Sequence, residues 1–174
     1  MKLSKTPITL IFPQFTWSDY TNPSKSVLED IAESLKIAPK VVLNCLDPDY
    51  LPHISFYGDV QFILLRLLEP KVKYSADTVQ ELTTKVALFI SDKQIISIHR
   101  LDLVEIEHIQ SKLKSFSESD VTRHHVVTYF FDEVSLGFNM PITELEHNLE
   151  NFEEQIFKGS KSKSVLTDGY FIKS

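Results

Sequence analysis

The sequence holds a single cysteine and four glycines among 174 residues, and each scarcity excludes something. Cys45 alone closes no internal disulfide and builds no thiolate cage for zinc, which assigns the chain to a reducing compartment and points to the cytosol. Four glycines leave no material for collagen-like or low-complexity repeats. None stands in a Gly-x-Gly-x-x-Gly or Walker-type loop that would cradle a nucleotide phosphate. Basic residues are outnumbered, 18 Lys and Arg against 24 Asp and Glu. The net charge of -6 and pI near 5.5 offer no general attraction to phosphate backbones, so nucleic acid is not an expected partner. Long apolar runs are missing too. The richest, Phe62 to Leu68, is short and contains Arg66, well below the roughly 20 residues of a membrane span. The apolar run Ile8 to Phe12, closed by Pro13, is too brief for a signal-peptide core.

What is present supports one core. Hydrophobic residues make up 43% of the chain and aromatics 11%, including 12 Phe, which supplies the apolar area that ordering requires. Pro7 to Phe12 reads as a first strand, followed by a loop from Gln14 to Asn22 that carries Trp17. Ser26 and Glu29 have capping-box spacing, and Val27, Leu28, Ile31 and Leu35 recur at helical intervals, so a helix covers Pro23 to Lys36. Pro39 opens a second helix with Val41, Val42, Cys45 and Leu46 as its apolar stripe, ended by Asp47-Pro48. His53 to Tyr57 and Asp59 to Leu68 read as strands around Gly58, the second a central one, and Pro70 to Ala76 as a polar connection. Lys85 to Ser91 and Gln94 to His99 form a hairpin about Asp92-Lys93. Leu101 to Phe116 and Asp120 to Leu136 read as helices. The expected fold is therefore α/β: a mixed parallel and antiparallel sheet flanked by helices.

The last segment is the most periodic. Ile142, Leu145, Leu149, Phe152 and Ile156 step by three and four, while Glu144, Glu146, Glu150, Glu153 and Glu154 cover the other faces. This is an acidic amphipathic helix able to pack on a partner or on its own domain. The domain is expected to run from residue 1 to 157. Lys158 to Ser164 reads as a linker, and the restart that stops at Ser174 reads as a cut.

Candidate chemistry is sparse. His124 and His125 are adjacent on a helix and point about 100° apart, so they cannot chelate one ion as an i, i+4 pair would. His125, Tyr129 and Asp132 share a face and suit a structural hydrogen-bonded row. His99 precedes Asp102, Glu105 and Glu107, yet no serine or cysteine stands in a nucleophile context such as Gly-x-Ser-x-Gly. Cys45, inside an apolar stripe, is a small core residue. Asp47 and Asp49, at a helix end, could hold a hard divalent cation, since magnesium keeps most of its waters and needs only one or two carboxylates.

The order of these pieces resembles the cytoplasmic amino-terminal domain of CorA-type divalent metal transporters. Phe15-Thr16-Trp17-Ser18-Asp19 is similar to the family's aromatic segment, and Leu35 to Leu46 to its helix pair opened by a proline. His53 to Leu68, Val86 to Ile90 and Gln94 to Arg100 resemble its strand pair and hairpin. Leu145-Glu146, Leu149-Glu150, Phe152-Glu153-Glu154 and Ile156-Phe157 resemble the acidic helix before its stalk. The resemblance implies a homopentamer whose cytoplasmic domains sit on the inner side of the cell membrane, with a stalk helix of which residues 158–174 hold the start. It also implies a membrane domain marked by Gly-Met-Asn, and neighbouring subunits, as the partners. Magnesium or another divalent cation then acts as a regulatory ligand between subunits, with no covalently bound cofactor and no small-molecule substrate in this domain. Where such sensors carry Glu-Asp, this chain has Leu43-Asn44. The expected metal residues are therefore Asn44 and, one turn later, Asp47. On this reading the chain senses and scaffolds and is not an enzyme. The zinc-transporting branch of the family, a stand-alone interaction protein docking through Ile142 to Ile156, and a metal-dependent hydrolase using His99, His124 or His125 are the alternatives.

Overall fold

The computed structural model describes residues 6–69 and 78–157, so the connection expected over Pro70 to Ala76 and the linker from Lys158 lie outside the described residues. Six strands form one sheet: β1 (Ile8–Ile11), β2 (Thr16–Thr21), β3 (His53–Tyr57), β4 (Val60–Leu68), β5 (Thr83–Ile90) and β6 (Gln94–His99). Their order is β1-β2-β6-β5-β4-β3. Among the described residues only β2 and β6 pair in parallel, and the other neighbours are antiparallel, so the sheet is mixed as expected. β4 lies inside the sheet between β3 and β5. Gly58 takes φ +61° at the first position of the two-residue β3–β4 turn, the left-handed conformation that primed hairpin turns require.

Every residue of β5 is buried, which needs cover on both faces of the sheet. One face joins Trp17, Ile63, Leu65, Val86, Leu88 and Ile95 to α4 (Val104–Lys114) through Ile106, Ile109 and Leu113, and to α5 (Arg123–Phe157) through Val126 and Phe130. The other face joins Phe62, Leu64, Ala87, Phe89, Ile96 and Ile98 to α1 (Lys25–Leu35) through Ile31, Ala32 and Leu35, and to α2 (Pro39–Leu43) through Val42. A single turn, α3 (Val79–Leu82), precedes β5.

Three expectations are corrected. The loop expected over Gln14 to Asn22 is largely strand β2, whose buried positions are Trp17 and Asp19. A buried aspartate breaks the alternation of apolar and polar residues by which a half-buried strand is read. The cap of α1 is Ser24 rather than Ser26: Ser24 Oγ accepts from the Val27 amide at 3.4 Å. The helices expected over Asp120 to Leu136 and from Ile142 are one helix of 35 residues, α5, which runs through Pro141. A proline removes one backbone donor and crowds the carbonyl four residues back, at a cost of about 3 kcal/mol, yet the helix continues through it.

The chain divides into two compact units, Met1–Val134 and Ser135–Ser174. In the second, Ile142, Leu145, Leu149 and Ile156 are all exposed. Among the described residues no helix is long and apolar enough to cross a membrane.

Candidate functional site

The two expected metal residues belong to the segment that leaves α2. Asn44 caps that helix, and its carbonyl accepts from the Asp47 amide at 2.9 Å. Asp47 Oδ1 accepts from the Asp49 amide at 3.1 Å, and the Asp47 carbonyl accepts from the Tyr50 amide at 3.1 Å. The bond from the Asp47 amide to the Asn44 carbonyl holds the two residues in one turn. The structure then separates their surroundings. Asn44 lines a cavity of about 250 Å³ with Lys40, Tyr50, His53, Tyr57 and Phe62, and Asp47 does not. The Lys85 ammonium donates to the Asp47 carbonyl, so a fixed positive charge stands beside the carboxylate. Asp47 and Asp49 place two carboxylates on one short segment, the number that magnesium needs when it keeps most of its waters. Among the described residues no group of three His, Cys, Asp or Glu side chains gathers into a metal site.

The histidines fall in different places. His124 is exposed. His125 Nδ1 accepts from the Thr122 amide at 3.1 Å while its own amide donates to the Thr122 carbonyl, so it plays the part that Glu or Gln plays in a capping box. Its ring stacks on Phe116 and Tyr129, at 5.6 and 6.5 Å. Its role is structural, at the start of α5.

His99 enters a buried network that sequence reasoning missed. β2 and β6 run in parallel with Asp19 opposite Ser97 and Thr21 opposite His99. Trp17, Asp19, Ser97 and His99 are all at most 3% exposed. Trp17 Nε1 donates to Ser97 Oγ at 2.9 Å, Ser97 Oγ donates to Asp19 Oδ1, and His99 Nε2 lies 3.1 and 3.0 Å from the two Asp19 oxygens. His99 Nδ1 faces the Leu101 carbonyl at 2.6 Å. Both ring nitrogens thus meet acceptors, the arrangement of an imidazolium. Burial works against that charge, but the hydrogen bond and charge of Asp19, helped by Leu101 and Asp102, outweigh it and raise the pKa of His99. The serine here is held by the carboxylate rather than by an imidazole, so the group order of an activated nucleophile is absent from this network. The one sequence signal for it is an i, i+2 pair of polar residues in each strand, Asp19 and Thr21 in β2 and Ser97 and His99 in β6, which becomes legible only once the two strands are paired.

Cys45 is 1% exposed, and burial pushes its thiol up to about 12, against the opposing charges of Arg100 and Lys85. It is an inert core residue.

A mixed six-stranded sheet covered by two helices on each face, with a buried polar network between two of its strands, defines an α/β domain. The sequence model for the CorA-like Mg2+ transporter protein family matches residues 13–174, and the chain belongs to that family. Solved structures agree on the fold. The soluble domain of CorA from Methanocaldococcus jannaschii is 16% identical with a TM-score of 0.60, covering 88% of this chain and 59% of that one. The full-length CmaX protein is 14% identical with a TM-score of 0.66, covering 89% and 46%. The ZntB cytoplasmic domain from Vibrio parahaemolyticus RIMD 2210633 is 13% identical with a TM-score of 0.62, covering 82% and 56%. The chain therefore spans less than two thirds of each of these structures. No curated protein matches it.

Proposed function

We propose that this chain is the sensing and scaffolding domain of a CorA-like transporter of divalent cations, placed on the cytoplasmic side of the membrane and free of catalytic activity. The family match over residues 13–174 carries the reading. The partners on this reading are a membrane domain and neighbouring copies of the chain in a homopentamer, with the exposed seam Ile142, Leu145, Leu149 and Ile156 as the packing surface. Magnesium is the regulatory ligand, and Asn44 and Asp47 form one side of a site completed by a neighbour's carboxylates. Those carboxylates must also outweigh the Lys85 ammonium beside Asp47. An ion bridging two acidic faces favours the state that brings them together, which shifts the population towards a closed pore.

Two measurements test this. Reading the gene past the codon for Ser174 is expected to show two apolar stretches of about 20 residues, the first closing on Gly-Met-Asn. A reading frame without them defeats the transporter assignment. Titration of the chain with magnesium, cobalt or zinc, followed by thermal unfolding and sedimentation, is expected to give a saturable rise in Tm that follows RT ln(1 + [L]/Kd) and falls away in Asp47→Asn. No shift with any of the three ions defeats the sensing assignment. A response to zinc alone moves the chain to the zinc-transporting branch.

A further inference from the structure

Arg66 of β4 and Lys85 of β5 stand directly opposite one another in the strand ladder, and they are 6% and 7% exposed. Like charges at opposed positions of a sheet repel, and buried cations ordinarily sit against a carboxylate. Neither residue takes part in an ion pair among the described residues. Their hydrogen-bond partners are neutral. Arg66 Nη1 donates to Thr83 Oγ1 at 2.8 Å and faces the Val79 carbonyl at 3.5 Å, and Nη2 donates to the Pro48 and Tyr50 carbonyls at 2.9 and 3.3 Å. Lys85 donates to the Asp47 carbonyl. Arg66 Nε is buried with no hydrogen-bond partner among the described residues.

A third cation, the exposed Arg100 just past β6, joins these two in lining one cavity of about 230 Å³. Burial lowers the pKa of Lys85, and the Arg66 and Arg100 charges lower it further against the pull of Asp47 and Asp49. Three cations thus line one cavity of a chain of net charge -6, and among the described residues neither buried cation has a carboxylate in ion-pair contact. A water takes about 30 Å³ in the liquid, so the cavity has room for a tetrahedral oxyanion with some waters. The lining also holds Glu69, which repels a fully deprotonated anion and accepts a hydrogen bond from a protonated one.

We propose that the Arg66, Lys85 and Arg100 cavity binds a phosphate group, as inorganic phosphate or as a phosphate monoester. The three cations supply the charge, and Glu69 accepts from a ligand that still carries a proton, as hydrogen phosphate does near neutrality, as a monoester does below its second pKa of about 6, and as sulfate does not.

Calorimetric titration of the 174-residue chain at fixed ionic strength tests it, with sodium phosphate, sodium sulfate and glycerol 3-phosphate as probes. Saturable one-to-one binding of phosphate is expected, several-fold tighter than sulfate, and weakened at least tenfold in Lys85→Met and in Arg100→Ala. Lys85→Met removes a buried charge in favour of an apolar chain of similar length, a change that is often neutral or stabilising, and Arg100 is exposed, so both variants keep the fold. Tighter binding of glycerol 3-phosphate than of phosphate assigns the site to a monoester, and the reverse assigns it to the free ion. Absence of saturable binding, sulfate binding as tight as phosphate, or unchanged affinity in both variants overturns the proposal.

Discussion

His99 Nε2 donates to Asp19 Oδ2 across 3.0 Å, joining residues 80 apart in the chain through the single parallel strand pair of the sheet. The charged imidazole stabilises the fold beyond what the neutral ring can. The folded pKa of His99 lies above its ordinary value of 6.5, so the stabilisation is complete below pH 6.5 and is lost as pH rises through the folded value. Tm is expected to fall over the range above pH 6.5, and the slope is expected to vanish in His99→Gln. Asp19→Asn leaves the buried histidine without its counter-charge and is expected to cost about 3–5 kcal/mol at pH 6. A Tm of His99→Gln with the same pH slope as the unmodified chain contradicts this account.

Ser97 connects that pair to the core, since it accepts from Trp17 and donates to Asp19. Ser97→Ala strands the buried indole N–H and removes one donor from the carboxylate, a loss of about 1–3 kcal/mol. Trp17→Phe removes the same indole bond, together with part of the edge contact to Phe130 at 5.6 Å. Because the two substitutions share one hydrogen bond, urea unfolding of the double variant is expected to show less destabilisation than the sum of the singles. Strict additivity means that the bond contributes nothing.

Lys36 ends α1 with φ +56°, a left-handed conformation, while the Ile37 amide reaches back to the Ala32 carbonyl at 3.1 Å. This is the position glycine fills most easily, because a Cβ there is crowded by the following carbonyl. Lys36→Gly is expected to raise stability by about 0.5–1 kcal/mol, read as an upward shift in the urea midpoint at constant slope. Lys36→Val is expected to lower it.

What could be read from the sequence follows from the range of each interaction. α1, the β3–β4 turn at Gly58 and the β5–β6 hairpin rest on residues within a few positions of each other, and the expected boundaries lie close to the observed ones. β2 was illegible because Asp19 sits where an apolar residue should be, and the residues that satisfy it come from β6. The continuity of α5 was hidden by Pro141, whose local cost does not show how well the flanking turns hold. Arg66 was visible as an oddity in an apolar strand, yet nothing local placed Lys85 opposite it. That needs the β4–β5 register, set across the intervening segment. Asn44 and Asp47 do share one turn as their spacing suggests, while the Lys85 ammonium beside Asp47 comes from a strand 38 residues away.

The seam on α5 separates folding from assembly. Ile142, Leu145, Leu149 and Ile156 are 41–52% exposed, so they contribute little burial to the single chain. Substitutions at exposed positions away from caps and networks usually change stability by less than about 0.5 kcal/mol. Leu145→Ser with Leu149→Ser, both better tolerated on a wet helix face than in a core, is therefore expected to leave the unfolding midpoint of a dilute sample nearly unchanged. Packed between neighbouring copies, the same leucines would each bury an apolar side chain worth about 1.5–3 kcal/mol. Loss of both from every copy of an assembly is then expected to shift sedimentation from a concentration-dependent oligomer to a monomer. If the double variant associates as strongly as the unmodified chain, the seam is not where the copies meet. If it unfolds at a much lower midpoint when dilute, the seam is part of the domain's own core.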